Sequence, residues 1–379
     1  MANENLIVGK KRIHLASPHM SEEGYEKHYV QEAFDTNWIA PLGTNVNEFE
    51  KEFSQRIGIG FAAALSSGTA AIHLALKAAG VVKGDIVFCP SFTFSATVNP
   101  VIYLNAVPVL IDSDEDTWNM SPDMLEKAFQ KYPNVKAVLV VHLYGITADL
   151  DKIIDFCKEK KIALIEDAAE SLGTLYKGKQ TGTFGEFGIF SFNGNKIITT
   201  SGGGMLVSNN EERVCKVRFW ATQSRDAAPH YQHSELGYNY RMSNVVAGIG
   251  RGQLKVLDKR IEKKKYIFDY YVKELSGLEG IKFMPINSWN VPNYWLTCVT
   301  FSGSVSSLDV RLALEVENIE SRPIWKPMHL QPFYADFDFF GSGVSGELFE
   351  KGLCLPSDTN MDDSDLERIV GIIKSLWKK

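Results

Sequence analysis

The chain has 379 residues, of which 45% are hydrophobic and 23% charged, with 40 Lys+Arg against 46 Asp+Glu. These proportions exclude a disordered chain, a collagen-like chain and a disulfide miniprotein, and at about 150 residues per domain they predict two domains or one large domain with a smaller partner. The net charge of −6 argues against a nucleic-acid polymer as partner, because counterion release there needs a basic surface.

In chain order, residues 22–33 and 45–56 carry helical spacing on either side of the turn-like NWIAPLG. A short apolar strand at 60–65 leads into a helix over 69–79. Residues 85–89, 107–111, 137–142 and 162–166 read as buried strands, with helical spacing between them at 124–131 and 150–160. Two more strands, 188–192 and 205–208, flank a glycine cluster. Alternating apolar strands and amphipathic helices predict a mostly parallel sheet covered on both faces. From 248 to 275 the pattern predicts one long helix, whose KKK run at 263–265 reads as a solvated face. Short strands and helices follow, ending in an amphipathic helix at 363–377. The predicted organisation is therefore a large α/β domain over 1–255, amino-terminal segment included, and a smaller α+β domain over 256–379.

Five cysteines, Cys89, Cys157, Cys215, Cys298 and Cys354, are widely spaced without a CxxC pair. They read as reduced core thiols of a cytoplasmic protein. MANENLIVGKKRIHL has no apolar core of leader length, and the most apolar window, 62–82, is broken by Ser66, Ser67, Thr69, His73 and Lys77. No membrane association is expected. No His/Asp/Glu group has metal-ligand spacing, and neither GxSxG nor a helix-opening GxGxxG occurs.

Three segments carry chemistry. In LSSGTAAIHLAL, 65–76, small polar residues precede a helix start. Ser67 and Thr69 with the backbone N–H groups there are either an ordinary cap or an anion site. In LIEDAAESLG, 164–173, a buried strand ends at Glu166 and Asp167, where ligands of open α/β sheets bind; a helix-capping Asp is the other reading. In FSFNGNKIITTSGGGM, 190–205, a strand delivers Ser191 and then Lys196, followed by Gly202, Gly203 and Gly204. A lysine held near a buried site loses protons more readily and becomes nucleophilic; a lone lysine in a turn is otherwise solvated. A phosphate cradle, an acid at a strand end and a lysine in a strand-exit loop together meet the needs of pyridoxal phosphate. His73 reads as a packed polar residue, and His142 points toward the same rim as Asp167.

The motifs TNWIAPLG, CPSFTFSATVNP, HLYG, IEDAAESLG, SFNGNKIITTSGGGM, GYNYRMSN and RPIWKPMHLQP carry a resemblance. From SPHM at 17–20 to LCLPS at 353–357, the chain resembles the DegT/DnrJ/EryC1/StrS nucleotide-sugar aminotransferases, which have the aspartate aminotransferase-like fold, fold type I. Within them it is most similar to PglE-type C4 aminotransferases of UDP-4-keto-6-deoxy-N-acetylhexosamines. The resemblance implies that Lys196 forms the Schiff base and moves the proton, and that Asp167 pairs with the pyridinium nitrogen. It implies Glu170 by the ring hydroxyl and Phe94 on the ring. Gly68, Thr69, Ala70 and Ser191 are implied around the phosphate, with Asn239 reaching the same phosphate from the partner subunit of a homodimer. Some family members replace the lysine with histidine and are dehydratases, so Lys196 favours transamination.

In ESRPIWKPMHLQP, Arg322, Trp325, Lys326 and His329 mix aromatic and basic character, as a nucleotide diphosphate site does; a loop stiffened by prolines is the alternative. The resemblance puts this segment near the nucleotide-sugar. Arg241 is a candidate for anion contacts or for an interface salt bridge. The implied reaction moves the amino group of L-glutamate to the C4 ketone of a UDP-2-acetamido-4-keto-2,6-dideoxyhexose for surface glycan biosynthesis. A GDP-perosamine synthase, a dTDP-3-keto-sugar aminotransferase and a non-catalytic regulator are the alternatives.

Overall fold

The computed structural model describes residues 10–378; residues 1–9, read above for a leader, lie outside them. Eight strands form one sheet in the order Phe61–Leu65, Gly204–Ser208, Phe187–Ser191, Ala163–Asp167, Ala137–Val141, Ile86–Pro90, Val107–Ile111, Phe339–Phe340. Only Gly204–Ser208 runs against its neighbours; the other pairings are parallel. The continuous apolar run AVLVV is buried at every position because helices cover both faces. Val87, Cys89, Leu139 and Ile165 face the helices Gly68–Ala78, Ser95–Tyr103 and Glu211–Ala221. Phe88, Val138, Val140 and Leu164 point the other way, onto Pro122–Lys131 and Leu150–Lys160.

The predicted strands recur within a residue or two. Residues 248–275, however, form two helices, Asn244–Leu254 and Leu257–Leu275. The first packs closely on its neighbours. A Cβ at Gly252 would come within 2.5 Å of the Glu26 nitrogen, and one at Gly250 within 2.6 Å of the Phe49 ring. The chain turns at Lys255 and Val256, and the second helix covers another sheet. That sheet is antiparallel, in the order Ile281–Phe283, Thr297–Phe301, Gly352–Leu355, Arg322–Pro323, with Ser307–Val316 and Asp363–Ser375 packed beside it.

Lys264 corrects the reading of KKK as a solvated face. It is buried, and its ammonium donates to the carbonyls of Trp295 (2.8 Å) and Ser357 (2.7 Å). Two connections also run across position 255. Ile13 bridges Ile319 and Ser17 N–H donates to Asp358, while Phe339–Phe340 supply the edge of the large sheet.

Candidate active site

The strand Phe61–Leu65 runs through Ser66 and Ser67 into the helix Gly68–Ala78. Ser67 is extended, and its hydroxyl accepts from Ala70 N–H at 3.0 Å while its carbonyl accepts from Ala71 N–H at 3.1 Å. The first-turn donors of Gly68 and Thr69 have no acceptor within the helix. They line a cavity of about 400 Å³ together with the hydroxyl-bearing residues Thr69 and Ser191. Two glycines make this end of the cavity possible. A Cβ at Gly68 would lie 3.2 Å from that of Ser191, and one at Gly204 would lie 2.5 Å from the Gly68 nitrogen. Ala70 is buried one position further in and does not line the cavity.

At the opposite end the strand Ala163–Asp167 delivers Asp167, which is only 4% exposed. Its carboxylate accepts from the Thr97 hydroxyl (2.7 Å) and Ala169 N–H (3.1 Å). Burial nevertheless raises its pKa, against the pull of those two donors and of Lys196. A buried carboxylate in that condition is suited to a cationic N–H partner. Glu170 is equally buried; Tyr144 N–H donates to it at 2.7 Å, and burial pushes its pKa up to about 7. Tyr144 reaches it from a left-handed backbone conformation, φ 55°, unusual for a bulky residue.

Lys196 sits in the loop between Phe187–Ser191 and Gly204–Ser208. Its Nζ lies 3.5 Å from Glu170 Oε1 and 4.4 Å from the centroid of the Trp295 ring. Phe94, half-exposed, and Trp325 form an aromatic pair at the rim, with ring centroids 5.3 Å apart. Sequence reading therefore brings Gly68, Thr69, Phe94, Asp167, Glu170, Ser191, Lys196 and Trp325 to one cavity. It fits a flat aromatic group with an anion at one end, a protonated ring nitrogen at the other and a lysine between.

Several expected residues are elsewhere. Arg241 is buried against Glu50 (2.6 Å) and the Ala64 carbonyl (3.0 Å), and it shares the Glu50 carboxylate with Arg218 (2.9 Å). Arg322 is exposed and donates twice to Glu320. His329 is held by the Ser91 hydroxyl (2.7 Å) and stacks on Phe339 at 3.8 Å. Lys326 does not line the cavity, and Asn239 is exposed away from the cavity of its own protomer. His142 lies behind the sheet end, its ring against Glu166 (3.0 Å), and His73 is packed among tyrosines. Sequence reasoning missed Thr97, Tyr144 and Trp295 as site residues. Thr97 and Tyr144 fall within the quoted CPSFTFSATVNP and HLYG motifs, whereas Trp295 has no motif around it. Among the described residues no group of three His, Cys, Asp or Glu side chains could hold a metal.

The chain belongs to the DegT/DnrJ/EryC1/StrS aminotransferase family, whose model matches residues 20–374. It is 53% identical over 375 residues to EpsN of Bacillus subtilis (strain 168), which bears the name of a pyridoxal phosphate-dependent aminotransferase; the match covers 97% of this chain and 96% of EpsN. It is 36% identical over 367 residues to the GDP-perosamine synthase of Caulobacter vibrioides, covering 96% of this chain and 97% of that one. Among solved structures, the aminotransferase TlmJ from Streptoalloteichus hindustanus superposes with a TM-score of 0.90 at 28% identity, covering 97% and 99% of the two chains. The protein is an aminotransferase of fold type I, and its cofactor is pyridoxal 5'-phosphate.

Proposed function

We propose that the enzyme transfers the amino group of L-glutamate to the C4 ketone of a nucleotide-linked 4-keto-6-deoxy sugar. The acceptor in this reading is UDP-2-acetamido-4-keto-2,6-dideoxyhexose, and the product enters surface glycan biosynthesis. The observation that carries the transamination is the placing of Lys196 between Asp167 and the phosphate-ready start of the helix Gly68–Ala78, all in one cavity. The GDP-perosamine synthase relatives favour a second reading, in which the same C4 ketone is carried by a GDP-linked sugar. Both readings use one site and one chemistry.

Bound pyridoxal phosphate supplies the electron sink and carries the amino group between the two substrates. The protein residues do the rest. The N–H groups of Gly68 and Thr69, with the Ser191 hydroxyl, hold the phosphate at the helix end, where the dipole favours an anion. Asp167 keeps a proton on the ring nitrogen, and Thr97 keeps Asp167 aimed at it. Glu170 stands by the ring hydroxyl, and Phe94 faces the ring. Lys196 moves a proton from the donor's Cα as glutamate leaves as 2-oxoglutarate, and moves it in reverse when the ketone is aminated. Trp325 at the rim and the 322–329 segment bear on the nucleotide-sugar. The working unit is a cytoplasmic homodimer in which Asn239 of each subunit completes its neighbour's phosphate site. Within each subunit, 1–255 is the cofactor-binding part and 256–379 the smaller part. Among the described residues no helix is long and apolar enough to cross a membrane.

The test begins with the purified protein, whose visible cofactor band glutamate should bleach. UDP-, GDP- and dTDP-linked ketosugars are then offered side by side with ¹⁵N-glutamate. Label at C4 of the UDP sugar supports the first reading, and label only on the GDP sugar the second. Cofactor binding with no turnover on any ketosugar points to the regulator instead. Multiple turnovers by Lys196→Ala would sink the role given to that lysine.

A further inference from the structure

Trp295 is 1% exposed and lies against the lysine of the cavity, its ring centroid 4.4 Å from Lys196 Nζ. The indole is fixed from several sides. Its Nε1–H donates to the carbonyl of Asn195, the residue before Lys196, at 2.8 Å. Its backbone N–H donates to Asn293 Oδ1 at 3.0 Å, and the Asn293 amide in turn donates to the carbonyl of Glu170 at 2.8 Å. Its own carbonyl accepts from Lys264 Nζ at 2.8 Å. Lys264 comes from the helix Leu257–Leu275 and spends its ammonium on this carbonyl and that of Ser357. Burial pushes its pKa down to about 8, against the attraction of Asp358. A buried cation given over to two carbonyls fixes backbone rather than balancing charge. The indole face is therefore held in register with Nζ by contacts on both sides of it.

We infer that Trp295 is a positioning residue for Lys196: the negative face of its indole holds Nζ over the cavity, and Lys264 fixes that indole through its backbone. The inference rests on the reading that Lys196 is the acting amine. The physical basis is the attraction of a desolvated cation to the ring quadrupole, strongest for tryptophan. Other charges also face Lys196. Glu170 is 3.5 Å from Nζ, and Asp167 lies deeper in the same cavity. Behind the Lys196 backbone, Arg260 and Lys264 from the helix and His19 from the amino-terminal segment line a small space. A test must therefore change the indole without disturbing these groups.

Fluorination does this. Growth on 5-fluorotryptophan withdraws electron density from the ring faces at little cost in shape. The holoenzyme is titrated with pH, following the visible band of the bound cofactor, whose midpoint reports the proton at Nζ. Weakening the face makes the proton easier to lose, so the midpoint should fall, by on the order of half a pH unit on fluorination and about one unit in Trp295→Leu. Trp295→Phe, which keeps an aromatic face, should recover most of the natural midpoint. Fluorination in the Trp295→Phe background should then shift nothing further. A fluorinated enzyme with the natural midpoint, or a fluorination shift that persists in Trp295→Phe, overturns the inference even if Trp295→Leu fails to fold. A Lys196→Ala protein that keeps the natural visible band overturns the reading of Lys196, and this inference with it. Loss of that band with unmoved midpoints in the tryptophan proteins overturns this inference alone.

Discussion

Lys196 Nζ stands 3.5 Å from Glu170 Oε1, with the two side chains 11% and 3% exposed. So little solvent reaches the pair that burial outweighs the lysine's attraction, and Glu170 is pushed up to about 7. Without cofactor, the carboxyl is therefore largely protonated in mild acid.

That has a consequence for the apo-protein's stability. A carboxyl whose folded-state pKa lies above its unfolded value contributes stability that is fully present below the unfolded pKa. The contribution is lost as pH rises through the folded pKa. For Glu170 the window runs from 4.5 to about 7. Glu170→Gln has no such group. Across this window the wild-type apo-protein should lose stability relative to Glu170→Gln, by on the order of 3 kcal/mol. Thermal unfolding of both apo-proteins at pH 5, 6, 7 and 8 measures it. Parallel curves would show that Glu170 does not titrate in this range.

Asp167 is buried in the cavity wall with one hydroxyl and one N–H donor. If Asp167 partners the ring nitrogen as proposed, Asp167→Asn loses the charge that holds a proton there. Its turnover should fall about 10²- to 10³-fold, the range for losing one preorganised electrostatic partner. Cofactor should still bind, because the phosphate contacts lie at the other end. Thr97→Val removes one donor and leaves the other, and should cost far less. Single-turnover kinetics with glutamate, beside cofactor occupancy, separates the two. Equal losses in both variants would contradict the ranking.

The large sheet was legible because its strands are short apolar runs, and several of them lead at the carboxyl end into a motif. Lys196, Asp167 and the Ser67–Thr69 turn were found for that reason. Trp295 was not, because NYWLT has no periodicity and its role depends on contacts made by Lys264 and Asn293 from other segments. The helix Ser95–Tyr103 was hidden by Pro100, which cannot donate within it; Val98 and Val101, fully buried, hold it against the sheet. The edge strand Phe339–Phe340 has two residues, too few to show alternation, and exists by pairing with Leu110 and Ile111. Arg241 looked like an anion contact because nothing in GYNYRMSN shows that Glu50, in a distant helix, faces it.

Gly204 is the glycine on which the phosphate end depends. A Cβ there would meet the Ser67 carbonyl and sit 2.5 Å from the Gly68 nitrogen, both backbone atoms with no rotamer to yield. Gly204→Ala should push the strand Gly204–Ser208 away from the turn. Overpacking of this kind costs about 1–3 kcal/mol. Cofactor affinity should drop at least about tenfold, since the N–H groups of Gly68 and Thr69 lose their common aim. Gly277→Ala serves as the control, because nothing lies within 4 Å of a Cβ there and the residue is remote from the cavity. Equilibrium dialysis of cofactor against both proteins is the measurement, and equal affinities would refute the steric argument.

Asn239 gives the most direct test of a shared site. It is exposed in its own protomer, yet the neighbouring Tyr240 carbonyl accepts from Ser66 N–H at 2.8 Å, so its loop is tied to the phosphate turn. If Asn239 serves the partner's phosphate, Lys196→Ala and Asn239→Ala should complement each other. In a hybrid dimer one site then carries both lesions and the other carries none. Random pairing makes half the dimers hybrids, so co-expression in equal amounts should restore about a quarter of wild-type activity. If Asn239 serves its own protomer instead, every hybrid site carries one lesion and nothing is regained. Asn239→Ala alone must first lose activity for the mixture to be informative, and two affinity tags isolate the hybrid. An isolated hybrid as inactive as its parents would place Asn239 outside the partner's site.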